Sequence, residues 1–157
     1  MLLDLKCKIV FDPENKTSKH INQSSWKVTV ICKSNDDIDK YYTWFLEKRF
    51  NLNINNSLRG PHITIINDKI TDYEQYKKGK ELFNGKEITF QYDPNKIRTN
   101  GKHYWINIES SEACAIREIC GFTYKPYFGL HLTIGLVDDK YLAHSEYIHR
   151  QILKFGI

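Results

Sequence analysis

The chain has 157 residues, 41% of them hydrophobic and 27% charged. That balance fits one globular domain over residues 1–157, long enough to bury a core without disulfide staples. A formal net charge of +4 suits a modest anionic ligand and argues against long duplex DNA, which calls for a concentrated basic stripe.

The first eight residues, Met1 to Lys8, carry charges where a secretory signal needs an apolar core. No run approaches the length of a membrane-spanning helix, so the expectation is a soluble cytoplasmic protein with no membrane partner. Leu5 to Phe11 reads as a first strand, and the polar stretch Asp12–Ser25 as a loop that can carry function or mobility. Trp26 to Cys32 alternates as a second strand. Ser34 to Asp37 offers caps for a helix whose apolar stripe is Ile38, Tyr41, Tyr42, Phe45 and Leu46, ending near Phe50. Asn51 to Gly60 is a polar connection into a strand that Pro61 enters and Asn67-Asp68 ends.

A second helix spans Asp72 to Phe83, with Tyr76, Leu82 and Phe83 as its apolar contribution and Gly85 as its breaker. Glu87 to Tyr92 reads as strand and Asp93-Pro94-Asn95 as a turn. Asn100-Gly101 is a hairpin-type turn before the strand Tyr104 to Ile108. Ser110-Ser111 caps a third helix through Cys120, with Gly121 just beyond it. Another strand follows, and Asp138 or Asp139 starts a terminal helix bearing Tyr141, Leu142, Ile148 and Ile152. The order β, β, α, β, α, β, β, α, β, α predicts a mixed α+β fold. Cys7, Cys32, Cys114 and Cys120 read as free thiols, since nothing implies an oxidising compartment.

Within this order one phrase occurs twice. Gly60-Pro61-His62-Ile63-Thr64-Ile65 returns 69 positions later as Gly129-Leu130-His131-Leu132-Thr133-Ile134. Residues i and i+2 of a strand share a face, so each copy presents one imidazole beside one hydroxyl. If the strands meet, two such pairs face one pocket, an apparatus for acid–base chemistry on a phosphodiester. Imidazole titrates near neutrality, so one ring can take a proton while the other gives one. Thr64 and Thr133 can donate to non-bridging phosphate oxygens. The bland alternative is a pair of buried strands whose histidines satisfy core hydrogen bonds. A metal site would need a carboxylate close to both imidazoles. Asp68 and Asp138 stand six or seven residues past their histidines, about 20 Å along an extended strand. No metal and no cofactor are expected. Trp105 alternates away from Tyr104, Ile106 and Ile108 and is the first choice for stacking on a base, with Tyr92 second; ordinary core packing is the alternative for either. Arg59, beside Gly60-Pro61, is a candidate phosphate contact, with an exposed loop arginine as the alternative.

Two His-x-Thr strands separated by most of a small α+β domain resemble the two-histidine (2H) phosphoesterase superfamily. The resemblance rests on Gly60 to Ile65, Gly129 to Leu136, the length and the element order. Within the superfamily, the compact chain and the wording of both motifs look most like the phage anti-CBASS nucleases. The chain's richness in Lys, Asn and Ile is compatible with an AT-rich phage genome. The resemblance implies a bilobal fold, two pseudo-symmetric halves of antiparallel strands and helices around a central cleft. It implies His62 and His131 as the catalytic pair with Thr64 and Thr133 as phosphate-binding companions. It further implies hydrolysis of cyclic di- or trinucleotide messengers at 3′–5′ linkages, in the cytoplasm of an infected host if the chain is phage-encoded. The same four residues would serve opening of RNA 2′,3′-cyclic ends or cleavage of 2′,5′-oligoadenylate. A module that only sequesters nucleotides would not need the acid–base pair. Sequence assigns neither the acid and base roles nor an oligomeric state.

Overall fold

The computed structural model describes residues 1–13, 30–34, 37–56 and 60–155. The Asp12–Ser25 loop beyond Pro13, the Trp26 to Thr29 part of the second strand, the Asn35-Asp36 cap positions and Arg59 lie outside the described residues.

The first strand, β1 (Leu3–Phe11), alternates strictly: Leu5, Cys7, Ile9 and Phe11 are buried and the intervening lysines are exposed. It is flanked by β2 (Val30–Ser34) on one side and β5 (Glu87–Tyr92) on the other. The remaining strands are β3 (Ile54–Asn56), β4 (His62–Ile66), β6 (Ile97–Thr99), β7 (His103–Asn107) and β8 (His131–Val137). Among the described residues they form one eight-stranded sheet in the order β5-β1-β2-β4-β8-β7-β6, with β3 added to β8. Every pairing is antiparallel, and the sheet curls into a half-barrel. The curl brings Gln91 of β5 against Glu109, just past β7, where the two residues exchange N–H···O bonds of 2.8 Å each.

Four helices are described: α1 (Ile38–Phe50), α2 (Tyr73–Phe83), α3 (Ser111–Ile119) and α4 (Leu142–Phe155), the last entered by a 3₁₀ turn at Asp139–Tyr141. None is long and apolar enough to cross a membrane. Side-chain caps act at two of them, the one at Ser110 as expected. Asp72 accepts from the Gln75 N–H at 3.1 Å, and the Ser110 hydroxyl accepts from the Ala113 N–H at 3.1 Å. Asp37 holds the same position before α1 but makes no side-chain cap bond. At the C-terminus of α1, Asn51 adopts the left-handed conformation and its N–H returns to the Glu47 carbonyl.

The apolar side of the sheet and the inward faces of the helices share one core that includes Ile38, Tyr42, Leu46, Ile63, Leu132 and Ile148. All four cysteines are buried thiols, as the sequence suggests. Burial pushes the Cys120 thiol up from 9.0 to about 11 and raises Cys32 further still. Three expectations are corrected. Leu82 is 46% exposed, so α2 is held by Tyr76, Phe83 and Gly79 instead. Gly79 lies against Cys120, and a Cβ there would collide with the Cys120 sulfur. Tyr41 points outward from α1, where it lies over Trp44 and Phe45. The polar connection Asn51 to Gly60 contains strand β3, whose Ile54 is buried with Leu52 while Asn51 and Asn53 are exposed. A further short strand, β6, pairs with β7 across the Asn100-Gly101 turn. That hairpin is locked to α4 from inside. Ser145, fully buried, bonds the Tyr104 hydroxyl at 2.7 Å and donates to the Gly101 carbonyl.

Candidate active site

The two copies of the repeated phrase become adjacent strands at the middle of the sheet. Ile63 of β4 and Leu132 of β8 are direct partners in the antiparallel ladder. Stepping away from that pair in opposite directions sets His62 across from Thr133, and Thr64 across from His131. Ile63 and Leu132 are fully buried, while His62, Thr64, His131 and Thr133 are half-buried on the other face. The four polar side chains thus form a two-by-two array, each histidine beside the threonine of the opposite copy. The imidazoles are diagonal neighbours, for which a separation of roughly 7–8 Å is usual, a gap that a phosphodiester can span.

Each copy prepares its histidine in the same way. Gly60 has φ +74° and Gly129 has φ +71°, in the region that L side chains rarely adopt. The turn they make directs the glycine carbonyl back to the ring two residues on. His62 Nδ1 lies 2.9 Å from the Gly60 oxygen, and His131 Nδ1 lies 3.3 Å from the Gly129 oxygen. A carbonyl can only accept, so Nδ1 carries the hydrogen in both neutral rings. This is why the phrase begins with glycine.

The phrase ends alike too. In β4 the ladder to β2 skips Ile65, since Thr64 pairs with Ile31 and Ile66 with Val30. In β8 the ladder to β7 skips Ile134, since Thr133 pairs with Trp105 and Gly135 with Tyr104. A bulge at the isoleucine after each threonine bends both strands at equivalent points and adds local twist.

The walls beside the array differ. On the β2 side Thr64 adjoins Ile31, which is buried. On the β7 side Thr133 adjoins Trp105, half-buried with its Nε1–H donating to Asn107 Oδ1 at 3.2 Å. Trp105, His103 and Phe128 join His131 and Thr133 around a cleft of about 290 Å³. Trp105 therefore reaches the motif pair, turned away from Tyr104 and Ile106 as its alternation requires. Tyr92 does not. It lies on β5, at the far edge of the sheet, with its ring against the core on the side of Tyr42. The reason is parity: Ile88, Phe90 and Tyr92 share the core-facing side of their strand.

Sequence reading missed a residue that braces the array from behind. Arg117 of α3 is fully buried. Its Nη1 donates to the Ile65 carbonyl at 2.7 Å, at the bulge of the first copy. Its Nε donates to the Thr123 carbonyl at 2.8 Å, in the segment leading to the second copy, and Nη2 meets Asp68 at 2.9 Å. The rigid five-donor fork of arginine is what allows one side chain to tie three separate segments. Phe128 was missed as well, although it directly precedes the second motif and closes the aromatic run Tyr124 to Phe128.

Among the described residues, no three His, Cys, Asp or Glu side chains converge as a metal cage would require. Asp68 is engaged by Arg117, and Asp138 accepts from Asn55 Nδ2 at 2.5 Å. Compared with family models, curated proteins and solved structures, the chain matches none.

Proposed function

We propose that the chain is a two-histidine phosphodiesterase that works without a metal and cleaves cyclic di- or trinucleotide messengers of host antiphage defence. One observation carries this reading: two histidines held on one face of adjacent strands, each with Nδ1 clamped by a glycine carbonyl and each beside the other copy's threonine. A pair of buried core strands would not leave both histidines and both threonines half-exposed on one face. The fold implied is the bilobal one of the 2H phosphoesterases, its halves meeting where β4 joins β8.

In the reaction, the ribose 2′-OH beside the scissile linkage attacks phosphorus. Nε2 of one neutral imidazole accepts the hydroxyl proton. Nε2–H of the other, protonated imidazole gives its proton to the departing 5′-oxygen. The products are a 2′,3′-cyclic phosphate and a free 5′-OH, and the two rings have exchanged protonation states. Water then opens the cyclic phosphate with the roles reversed, which restores the starting pair. The threonine hydroxyls donate to the non-bridging oxygens, where negative charge gathers in the transition state. Trp105 supplies a face for one base.

The test is product analysis by chromatography and mass spectrometry in EDTA, with wild type, His62→Ala and His131→Ala. The panel holds 3′,3′-cyclic dinucleotides, cyclic triadenylate, 2′,5′-oligoadenylate and an RNA with a 2′,3′-cyclic end. Linear products from cyclic oligonucleotides with wild type alone are expected. Cleavage confined to the RNA end would move the substrate assignment to RNA termini. No turnover of any compound, with binding retained by both variants, would overturn the catalytic reading.

A further inference from the structure

Beside the cleft of the two motifs lies a second cavity, of about 470 Å³. It lies between the segment joining β7 to α3 and the segment leading into β8, and Phe128 belongs to both walls. Its lining is mixed in a particular way. Tyr124 and Phe128 supply aromatic faces, and both are exposed, Phe128 by 80%. Asn107 lines it with its Oδ1 already taken by Trp105 Nε1–H, which leaves the amide N–H groups as donors. Glu109 adds a carboxylate acceptor, Ser111 a hydroxyl and Lys125 a cation. A ligand that satisfies all of these has a flat ring, both donors and acceptors on its edges or sugar, and a negative group at one end. A nucleoside phosphoester has that description, whereas a free phosphate would leave both rings and the carboxylate unused.

Position supports the same ligand. Asn107 is the direct ladder partner of His131, so their Cα atoms are about 5 Å apart. The cavity therefore begins within one nucleoside's length of the proposed scissile phosphate. The Trp105 cleft opens from the Thr133 side of the same strand. A phosphate seated over the array would have one cavity for the nucleoside before it and another for the nucleoside after it, with the Phe128 ring standing between the two.

We infer that the 470 Å³ cavity is a second nucleoside subsite, so that the preferred substrate spans at least two nucleosides across the two-histidine array. This inference rests on the phosphodiesterase reading above and locates where the second nucleoside of its substrate is held. A chain that only trimmed isolated 2′,3′-cyclic ends would need the first cleft and gain nothing from the second cavity. Volumes of 300–1,000 Å³ are usual for sites that bury a small ligand, and this one suffices for a nucleoside.

The experiment compares Ser111→Trp and Lys125→Glu with wild type. Ser111 is exposed at the start of α3 and Lys125 is exposed in the following segment, so neither change touches the core. Circular dichroism checks that both variants keep the fold. Hydrolysis of a 3′,3′-cyclic dinucleotide and of a 2′,3′-cyclic mononucleotide is measured side by side. The expected result is a KM for the dinucleotide that rises at least tenfold more than the KM for the mononucleotide, in each variant. Equal changes for the two substrates, or none for either, would overturn the subsite. Calorimetric titration of the 2′-deoxy cyclic dinucleotide, which lacks the attacking hydroxyl, separates this question from catalysis. If wild type cleaves nothing yet binds this analogue, and Ser111→Trp weakens binding tenfold, the subsite stands and the phosphodiesterase reading falls. Binding of the analogue with the same affinity by wild type and both variants overturns the subsite whatever the activity.

Discussion

The two copies of the repeated phrase agree in everything that readies a histidine and differ in everything around it. Both have a left-handed glycine, an Nδ1–carbonyl contact, a buried aliphatic residue between His and Thr, and a bulge at the isoleucine that follows. Outside the phrase, β4 is walled by aliphatic Ile31 and anchored from behind by Arg117. By contrast, β8 is walled by Trp105 and Phe128 and runs on to pair with β3. The lesson is a division of labour. The proposed acid–base apparatus is repeated, while among the described residues the aromatic wall stands beside the second copy. If the proposed reaction holds, the aromatic wall and not the histidines would set substrate orientation, and with it which imidazole acts as acid.

The strongest way to break this comparison is to remove each histidine in turn. His62→Ala and His131→Ala are each expected to lower kcat by about 10²–10⁴, and the double variant by less than the product of the two losses. A single variant with wild-type turnover would end the equivalence. In the wild type, kcat/KM should follow a bell against pH, since one ring must be neutral and the other protonated; a sigmoid with one limb would assign both proton transfers to a single group.

Stability should separate the copies. Arg117→Met strips the Ile65 and Thr123 carbonyls of a donor and leaves Asp68 without its cation. Asp68 is partly exposed, so the ion pair itself counts for less than the two carbonyls. A loss of roughly 2–4 kcal/mol in urea unfolding is expected. The position after the bulge gives a smaller and opposite contrast. It is Ile66 in the first copy and Gly135 in the second. At Gly135 a Cβ would collide with the Asn55 carbonyl and the Ile54 side chain, because β3 crosses there at close range. Gly135→Ala should cost about 1–3 kcal/mol, whereas Ile66→Val should cost about 0.5–1.5 kcal/mol. Equal losses would mean that β3 yields to the added methyl group.

The thiols offer the finest discrimination. Cys32 is the ladder partner of Ile63, behind the first copy, and is fully buried; Cys114 lines the cavity beside the second copy and is 7% exposed. Burial raises both above the ordinary thiol value. Alkylation by iodoacetamide at pH 8, followed by mass spectrometry, should mark Cys114 before Cys32. Simultaneous labelling would point to a general opening of the sheet.

Much of this arrangement was legible in the chain. The strand character of β1, β4 and β8 and the capping residue of α3 are local signals, and local signals survive into the structure. The array itself was legible because His-x-Thr fixes two side chains on one face whatever lies beside it. What could not be read was anything that depends on a distant partner. Three residues of β3 or β6 are too few to show a period, and only pairing with β8 or β7 makes them strands. The faint trace of β3 was the alternation of Leu52 and Ile54 with asparagines. Arg117 left a clearer mark: it sits on the apolar stripe of Ala113, Ile116 and Cys120, where a charge must find partners or not be there. Tyr92 misled because aromatic character says nothing about which face of a strand is wet.

The ladder between β4 and β8 also orders events in time. The β6–β7 hairpin turns within Asn100-Gly101-Lys102, so it can close early and cheaply, whereas Ile63 must find Leu132 across 69 intervening steps of chain. Loop-closure entropy and topology both place such a contact late. The histidines are thus brought together only when the sheet is zipped along its middle, and a nascent or stalled chain keeps the two halves of the proposed site apart.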